Sequence, residues 1–195
     1  MPSQKNVKID IISSEKKDFD EKFYRNTLGL FVTGISIVTA VDEKKNPIGM
    51  TVNSFASVSL NPALVLWSID KAQPSFNTFL NAKGYAVNIL NKNQLDLCSN
   101  FSKPSDDKFK DIEWYYSKNG FPLISNSLAW FDCLSWAQYP GGDHEILVGK
   151  VTSYDQNKND PLTYWNGSTP SKSPTSEERC ALALAVTSGV LGTQL

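Results

Sequence analysis

One histidine, two arginines and three scattered cysteines limit the chemistry open to this chain. His144 is the only imidazole, and no Gly-x-Ser-x-Gly elbow accompanies it, so a Ser-His-Asp hydrolase has no motif here. Cys98, Cys133 and Cys180 are odd in number and far apart. That fits neither a disulfide framework nor, with a lone histidine, a zinc site, and free thiols in a reducing compartment are the expectation. Neither G-x-G-x-x-G nor G-x-x-x-x-G-K-[ST] occurs, so no Rossmann or P-loop site is signalled.

What remains is three segments rich in small polar groups. The first is GMTVNSFASVSLNP (49–62), where Thr51, Asn53, Ser54, Ser57 and Ser59 offer donors and acceptors between two apolar runs. A planar heteroaromatic ring with polar edges needs such a lining, an apolar bed with a few placed hydrogen bonds. The competing reading is a Ser/Thr-rich turn that satisfies its own backbone. The second is PGGDHEILVGKV (140–151). Its paired glycines permit close backbone approach to a ligand, and His144 could stack on or bond to one. A common Gly-Asp hairpin turn with an incidental histidine would look the same. The third is NFSKPSDDKF (100–109), where Lys103, Lys108, Ser102 and Ser105 could meet a phosphate, or could form a solvated loop.

These segments need a scaffold, and the bulk numbers provide for one. The 195 residues are 41% hydrophobic and 20% charged, enough for one domain with a sizeable core. Lys and Arg total 19 against 20 for Asp and Glu, and only Arg25 and Arg179 are arginines. That argues against nucleic acid or an anionic membrane as partner. The opening MPSQKNVKIDIISSEKKDFD has no apolar stretch after its lysines and no run is long enough to span a membrane. A cytoplasmic location is the default expectation.

Along the chain, residues 1–17 read as a polar, flexible arm. From Asp18 a helical pattern begins, with Phe19, Phe23, Thr27 and Phe31 at spacing four, ending near Gly29 and Thr33-Gly34. Strand-like runs follow at 35–41, 48–53, 63–69 and 84–90, the first two joined as a hairpin through Asp42–Pro47. Two short helices fit after Ser75 and after Asn91, their apolar faces (Phe76, Phe79, Leu80; Leu95, Cys98, Phe101) reading as core. Two longer strands are expected at 127–138 and 144–154, separated by a Tyr139–Asp143 linker, with a last strand at Pro161–Trp165. Many short strands and few helices predict a mainly β fold, a barrel with short flanking helices. The domain is expected to cover 18–167. A Ser/Pro-rich linker and an atypical small-apolar tail occupy 168–195.

Taken in order, FYRNTLGLFVTGISIVTA (23–40), GMTVNSFASVSLNPALVLWSI (49–69), PSFNTF (74–79), YAVNIL (85–90), DKF (107–109), LAWFDC (128–133), GGDHEILVGKV (141–151) and PLTYW (161–165) resemble the short-chain flavin reductase family. One such motif is weak; eight in order are specific. The resemblance implies a Greek-key split β-barrel of the FMN-binding type, working as a homodimer. It implies reduction of FMN or FAD by NADH or NADPH, commonly for a separate monooxygenase. By resemblance, Thr51, Val52, Asn53, Ser54, Phe55, Ser57 and Val58 fall on the flavin loop. Ser75, Asn100, Phe101 and Ser102 match positions near the ribityl, phosphate or adenosine part. His144 matches the histidine beside the nicotinamide, and Thr33 and Gly34 match a turn near the same region. The chain departs from the family after PLTYW, where a glycine-aromatic-basic ending is replaced by the Ser/Pro linker.

Such a mechanism accounts for the missing acid–base machinery. Hydride passes from nicotinamide C4 to flavin N5, and the cofactor supplies the reactivity. The protein must stack two rings about 3–3.5 Å apart and stabilise developing charge with backbone amides and hydroxyls. Two alternatives stay open: a non-enzymatic flavoprotein of the same fold that carries electrons, and a structural barrel that has lost its flavin.

Overall fold

The computed structural model describes residues 14, 15, 19–105 and 107–165. Apart from Ser14 and Glu15, the expected N-terminal arm lies outside these residues, as does the whole 168–195 tail. The described chain runs α1 (Glu21–Leu28), β1 (Thr33–Gly34), β2 (Ser36–Val41), β3 (Pro47–Val52), β4 (Ala56–Leu60), β5 (Ala63–Asp70), α2 (Phe76–Asn81), β6 (Gly84–Ile89), α3 (Leu95–Ser102), β7 (Trp114–Tyr116), β8 (Pro122–Ile124), β9 (Ala129–Gly141), β10 (His144–Gln156) and β11 (Thr163–Tyr164). Seven strands form one antiparallel sheet in the order β3-β2-β6-β9-β10-β5-β4. Its two edges are consecutive in sequence. Only Asn53, Ser54 and Phe55 separate β3 from β4. Three residues reach on the order of 13 Å from strand end to strand end, so the edges must meet at that end. They share no ladder. The sheet is therefore a barrel with a split, and the polar loop predicted to bind a ligand is the strap across it.

Two cores flank β2, which is buried along most of its length. Alternate side chains of a strand face opposite ways, and here each face has its own cluster. Val38 and Ala40 join Trp67, Ile69, Phe79 and Tyr85 inside the barrel. Ile35 and Ile37 join Leu90, Phe101, Phe109 and Ile124 beneath α3 and the β7–β8 hairpin. Edge-to-face ring contacts order both, Trp67 on Phe79 at 5.1 Å and Phe101 on Phe109 at 5.1 Å. The buried Asn88 amide donates to Ile37 O and Thr39 Oγ1, and its carbonyl accepts from Ile124 N, tying the outer hairpin to the sheet.

The mainly β barrel with short helices is as expected, and the predicted strands all form. Four local readings change. α1 starts at Glu21, not Asp18, because the Asp20 carboxylate caps it by accepting from Phe23 N at 2.9 Å. No α1 residue is buried, and Phe23 and Phe31 are exposed. The expected Tyr139–Asp143 linker shrinks to a two-residue turn, Gly142-Asp143, because β9 continues through Tyr139, Pro140 and Gly141. The sequence reading also lacks β1, where it has a helix end, β4, inside the stretch read as a polar lining, and the β7–β8 hairpin.

Candidate functional site

β3 carries Thr51 and Val52 to the split, and α3 lies against them. The Thr51 hydroxyl donates to Cys98 O at 2.8 Å, and the Ser102 hydroxyl donates to the same carbonyl at 2.6 Å. Close packing here needs Gly49, where a Cβ would fall 2.7 Å from the ring of the buried Phe101. Lys108 reaches under the pair and donates to Gly49 O at 3.2 Å and Phe101 O at 3.0 Å. Burial holds its ammonium below the ordinary lysine pKa. It is a clamp between β3 and the end of α3 rather than a free cation for phosphate.

A cleft of about 610 Å³ opens between these elements. Ile35, Val52 and Leu95 supply its apolar bed, while Thr51, Asn53, Ser99 and Ser102 supply polar edges, with Lys103 and Tyr164 at its sides. The volume lies within the roughly 300–1,000 Å³ usual for small-molecule sites. β1 borders it, since Thr33 pairs with Tyr164 and Gly34 with Thr163. The Thr33 hydroxyl, on the strand beside the cleft, is buried without a hydrogen-bond partner among the described residues. An apolar bed, neutral polar rims and an orphaned hydroxyl fit a planar heteroaromatic ring with polar edges, as flavin is. The Cys98 thiol faces the cleft with its pKa pushed up by burial, which keeps it protonated and poorly nucleophilic. A cavity of about 660 Å³ elsewhere, between Asn91, Asp111, Glu113 and Asn157, contains none of the predicted residues. Its Asn91 and Gln94 amides already bond Asn126 O and Ser125 O.

The loop bends back over β5. The Ser54 hydroxyl accepts from Ser68 N at 3.0 Å and donates to Ser68 O at 3.1 Å. Two residues further along β5, Asp70 pairs with His144 at the start of β10. Two strand residues span about 6.8 Å, so Ser54 of the 53–55 loop and the lone histidine share one end of the sheet. At that end His144 Nδ1 lies 2.7 Å from Asp143 Oδ1. The same hydrogen bond holds the Asp143 carboxyl below its usual range.

The remaining predicted residues divide by environment. Asn53 is exposed at the cleft mouth, whereas Phe55 turns inward and packs against the Phe131 ring at 5.5 Å. Ser57 pairs with Val65, and Val58 stands out at a bulge between Ser57 and Ser59. Ser75 sits at the N-cap position of α2 without a side-chain capping bond. Phe101 is 1% exposed and belongs to the core, and the Asn100 amide donates to Lys108 O. Neither side chain lines the cleft, so any contact from this stretch runs through Ser102. Sequence reasoning missed Cys98 and Tyr164 as cleft residues. It also missed Lys71, whose Nζ donates to Gly142 O at 2.7 Å beside His144. Among the described residues no cluster of potential metal ligands occurs, and no helix is long and apolar enough to cross a membrane.

Residues 28–173 match the family described as flavin reductase like domain. The reductase component of a flavin-dependent trigonelline monooxygenase from Acinetobacter baylyi is 42% identical over 153 residues, covering 77% of this chain and 49% of that protein. The NADH-dependent FMN reductase SmoA from Agrobacterium fabrum is 40% identical over 148 residues, covering 76% of this chain and 84% of its own. The Streptomyces globisporus NADH:FAD oxidoreductase SgcE6, solved with NAD and FAD fragments, superposes with a TM-score of 0.78 at 29% identity, covering 86% of this chain and 99% of its own. The chain spans about half the length of the first curated relatives it matches.

Proposed function

The chain belongs to the flavin reductase-like domain family, and we propose that it is an NAD(P)H:flavin oxidoreductase that delivers reduced FMN or FAD to a separate monooxygenase. The observation that carries this reading is that the 53–55 strap beside the cleft and the turn that bears His144 lie at one end of the barrel, Ser54 bonding Ser68 and Asp70 pairing with His144. Bound flavin would supply the redox chemistry by accepting a hydride from a nicotinamide. The protein's residues do the rest. Ile35, Val52 and Leu95 exclude water from one side of the cleft. Asn53 and backbone groups of the loop meet the ring edge, with Ser54 holding the loop to β5. Ser102 and Lys103 stand where a phosphate tail would leave the cleft. His144 orients the nicotinamide. No acid or base is required of it, which suits a site with one imidazole.

The homodimer belongs to the same proposal. Cross-strand neighbours share a face, and on the outer face of β9-β10-β5 these are Tyr139, Ile146 and Ser68, then Ala137, Val148 and Leu66, then Leu134, Lys150 and Leu64. Trp136, Tyr139 and Leu134 are exposed there, and Phe23, Leu28 and Phe31 are exposed around α1. Apolar area of that kind is what a second copy would cover. The free thiols Cys98 and Cys133 suit a reducing cytoplasmic compartment.

The test is anaerobic mixing of the purified chain with FMN or FAD and NADH or NADPH. Bleaching of the flavin's visible absorbance well above the protein-free rate is expected, and its absence with all four pairs rejects the reading. Flavin binding without bleaching would instead select the electron-carrying flavoprotein.

A further inference from the structure

Where His144 points depends on a turn of two residues, and a side chain from another strand grips that turn. Gly141 pairs with His144, so Gly142 and Asp143 alone connect β9 to β10. Gly142 has φ +72°, while positive φ among the described non-glycine residues occurs only at Lys45, Asp111 and Asn126. Positive φ at the first central residue alone is the type II′ pattern, and type I′ needs it at both. The two turns interconvert by flipping the Gly142–Asp143 peptide. Asp tolerates the left-handed region better than most residues, so an unrestrained Gly-Asp turn has both states within reach.

The carbonyl that such a flip would invert is the one that Lys71 holds. Lys71 lies one residue beyond β5. Its Nζ donates to Gly142 O at 2.7 Å and sits 3.9 Å from Glu145 Oε2, and its backbone N–H donates to Asp143 O at 3.0 Å. The turn is thus fixed at both carbonyls by one residue. Asp143, so placed, meets His144 Nδ1 at 2.7 Å. An ionised carboxylate only accepts, so the proton of that bond is on Nδ1. In the neutral ring Nε2 is then an acceptor.

We infer that Lys71 is a positioning residue for the nicotinamide side of the site, holding the Gly142–Asp143 peptide in one orientation and thereby fixing the tautomer of His144 through Asp143. The catalytic part of this rests on the flavin reductase reading; the turn geometry does not. Lys71 touches neither ring of the proposed reaction and acts only through the turn.

The chain has a single histidine, so an untagged sample labelled with 15N-histidine gives one pair of ring nitrogen signals. Above the imidazole's titration, wild type is expected to show the proton on Nδ1. Lys71→Met should lose that preference and speed amide exchange at Asp143 and His144. It should also raise KM for NADH roughly five-fold, as for one lost hydrogen bond, with flavin affinity unchanged and kcat little altered. Lys71→Arg should restore most of each. A Lys71→Met protein with the wild-type ring spectrum and exchange overturns the inference. If that variant folds poorly, wild type alone decides, since a neutral ring protonated on Nε2 overturns it as well. A wild type that reduces no flavin defeats the functional reading, while the ring spectrum still judges Lys71.

Discussion

The two halves of the candidate site are built by different means. The cleft half is packed: Thr51, Phe101 and Lys108 are joined across β3 and α3 by buried contacts and bonds to backbone carbonyls. The histidine half is an exposed turn held by the hydrogen bond Lys71 donates to Gly142 O and by the one Asp143 accepts from His144. A cleft that must stay open and dry needs a core beneath it, because only packing resists collapse. A group that orients a second, departing ligand needs only local order. Damage to the first half should therefore lower stability and flavin affinity together, and damage to the second should change kinetics with little effect on stability at neutral pH.

The largest effect should come from Phe101→Ala. Its ring is buried against Phe109, and removing a buried phenylalanine costs about 3–5 kcal/mol. Denaturant melts should show that loss, and fluorescence titration should show weaker flavin binding, since α3 forms a cleft wall. A folded, stable variant with weak flavin binding would move Phe101 into the site and break the distinction. Next is Gly49→Val, where the added carbons meet the Phe101 ring from the other side. Overpacking of this kind costs about 1–3 kcal/mol, with the same double loss expected in both measurements.

Asn53→Leu separates the ligand from the scaffold. Asn53 is exposed at the cleft, and its side chain makes no hydrogen bond among the described residues, so the melt should not move. Flavin affinity should fall about ten-fold, equivalent to one lost hydrogen bond of about 1.4 kcal/mol. Ser54 behaves otherwise, because its hydroxyl is engaged twice with Ser68. For the second half, His144→Ala should leave stability and flavin affinity intact while raising KM for the nicotinamide, a loss of about 1–2 kcal/mol in kcat/KM. Loss of flavin instead would place the imidazole on the other side of the ring.

What the sequence discloses follows the same division. The strands at 35–41 and 63–69 are legible because both runs are strongly apolar, the first buried along most of its length and the second burying Val65, Trp67 and Ile69 on one face. β4 is not legible because ASVSL alternates serines with apolar residues at an exposed edge, and its serines serve equally well as ligand donors. Pro140-Gly141-Gly142 imitates a loop, yet Pro140 and Gly141 remain in ladder register opposite Glu145 and His144. Asn53 was identifiable as a cleft residue because an ordered motif carries it, and Ser102 because the 100–102 stretch resembles the family's. Lys71 was not, since nothing in a lone lysine after a strand tells which carbonyl it will reach across the barrel end. The α1 phenylalanines show the converse: period-four spacing reports a face, not what covers it.

The smallest effects, and the sharpest contrast, lie in pH. Of the groups whose pKa is depressed in the folded chain, Asp143 and Lys108 shift for opposite reasons. Asp143 is lowered chiefly by its hydrogen bond to His144, which favours the charged form. Lys108 is lowered by burial, which disfavours it. In both cases the unfolded chain holds more protons within the affected window, so stability rises with pH there. For Asp143 the window lies below the unfolded carboxylate pKa of about 3.9. Its contribution is present at neutral pH and is lost as pH falls through the folded value. For Lys108 the window lies just below about 10.4. There the rise is relief of a penalty that the charged clamp carries at neutral pH. Denaturant titrations across both windows should show Asp143→Asn flattening only the acid arm and Lys108→Met only the alkaline arm. The acid effect should be slight, because Asp143 is exposed and its bond is screened. If Asp143→Asn moved neutral-pH stability as much as Lys108→Met, the turn would be part of the packed scaffold, and the division between the two halves would fail.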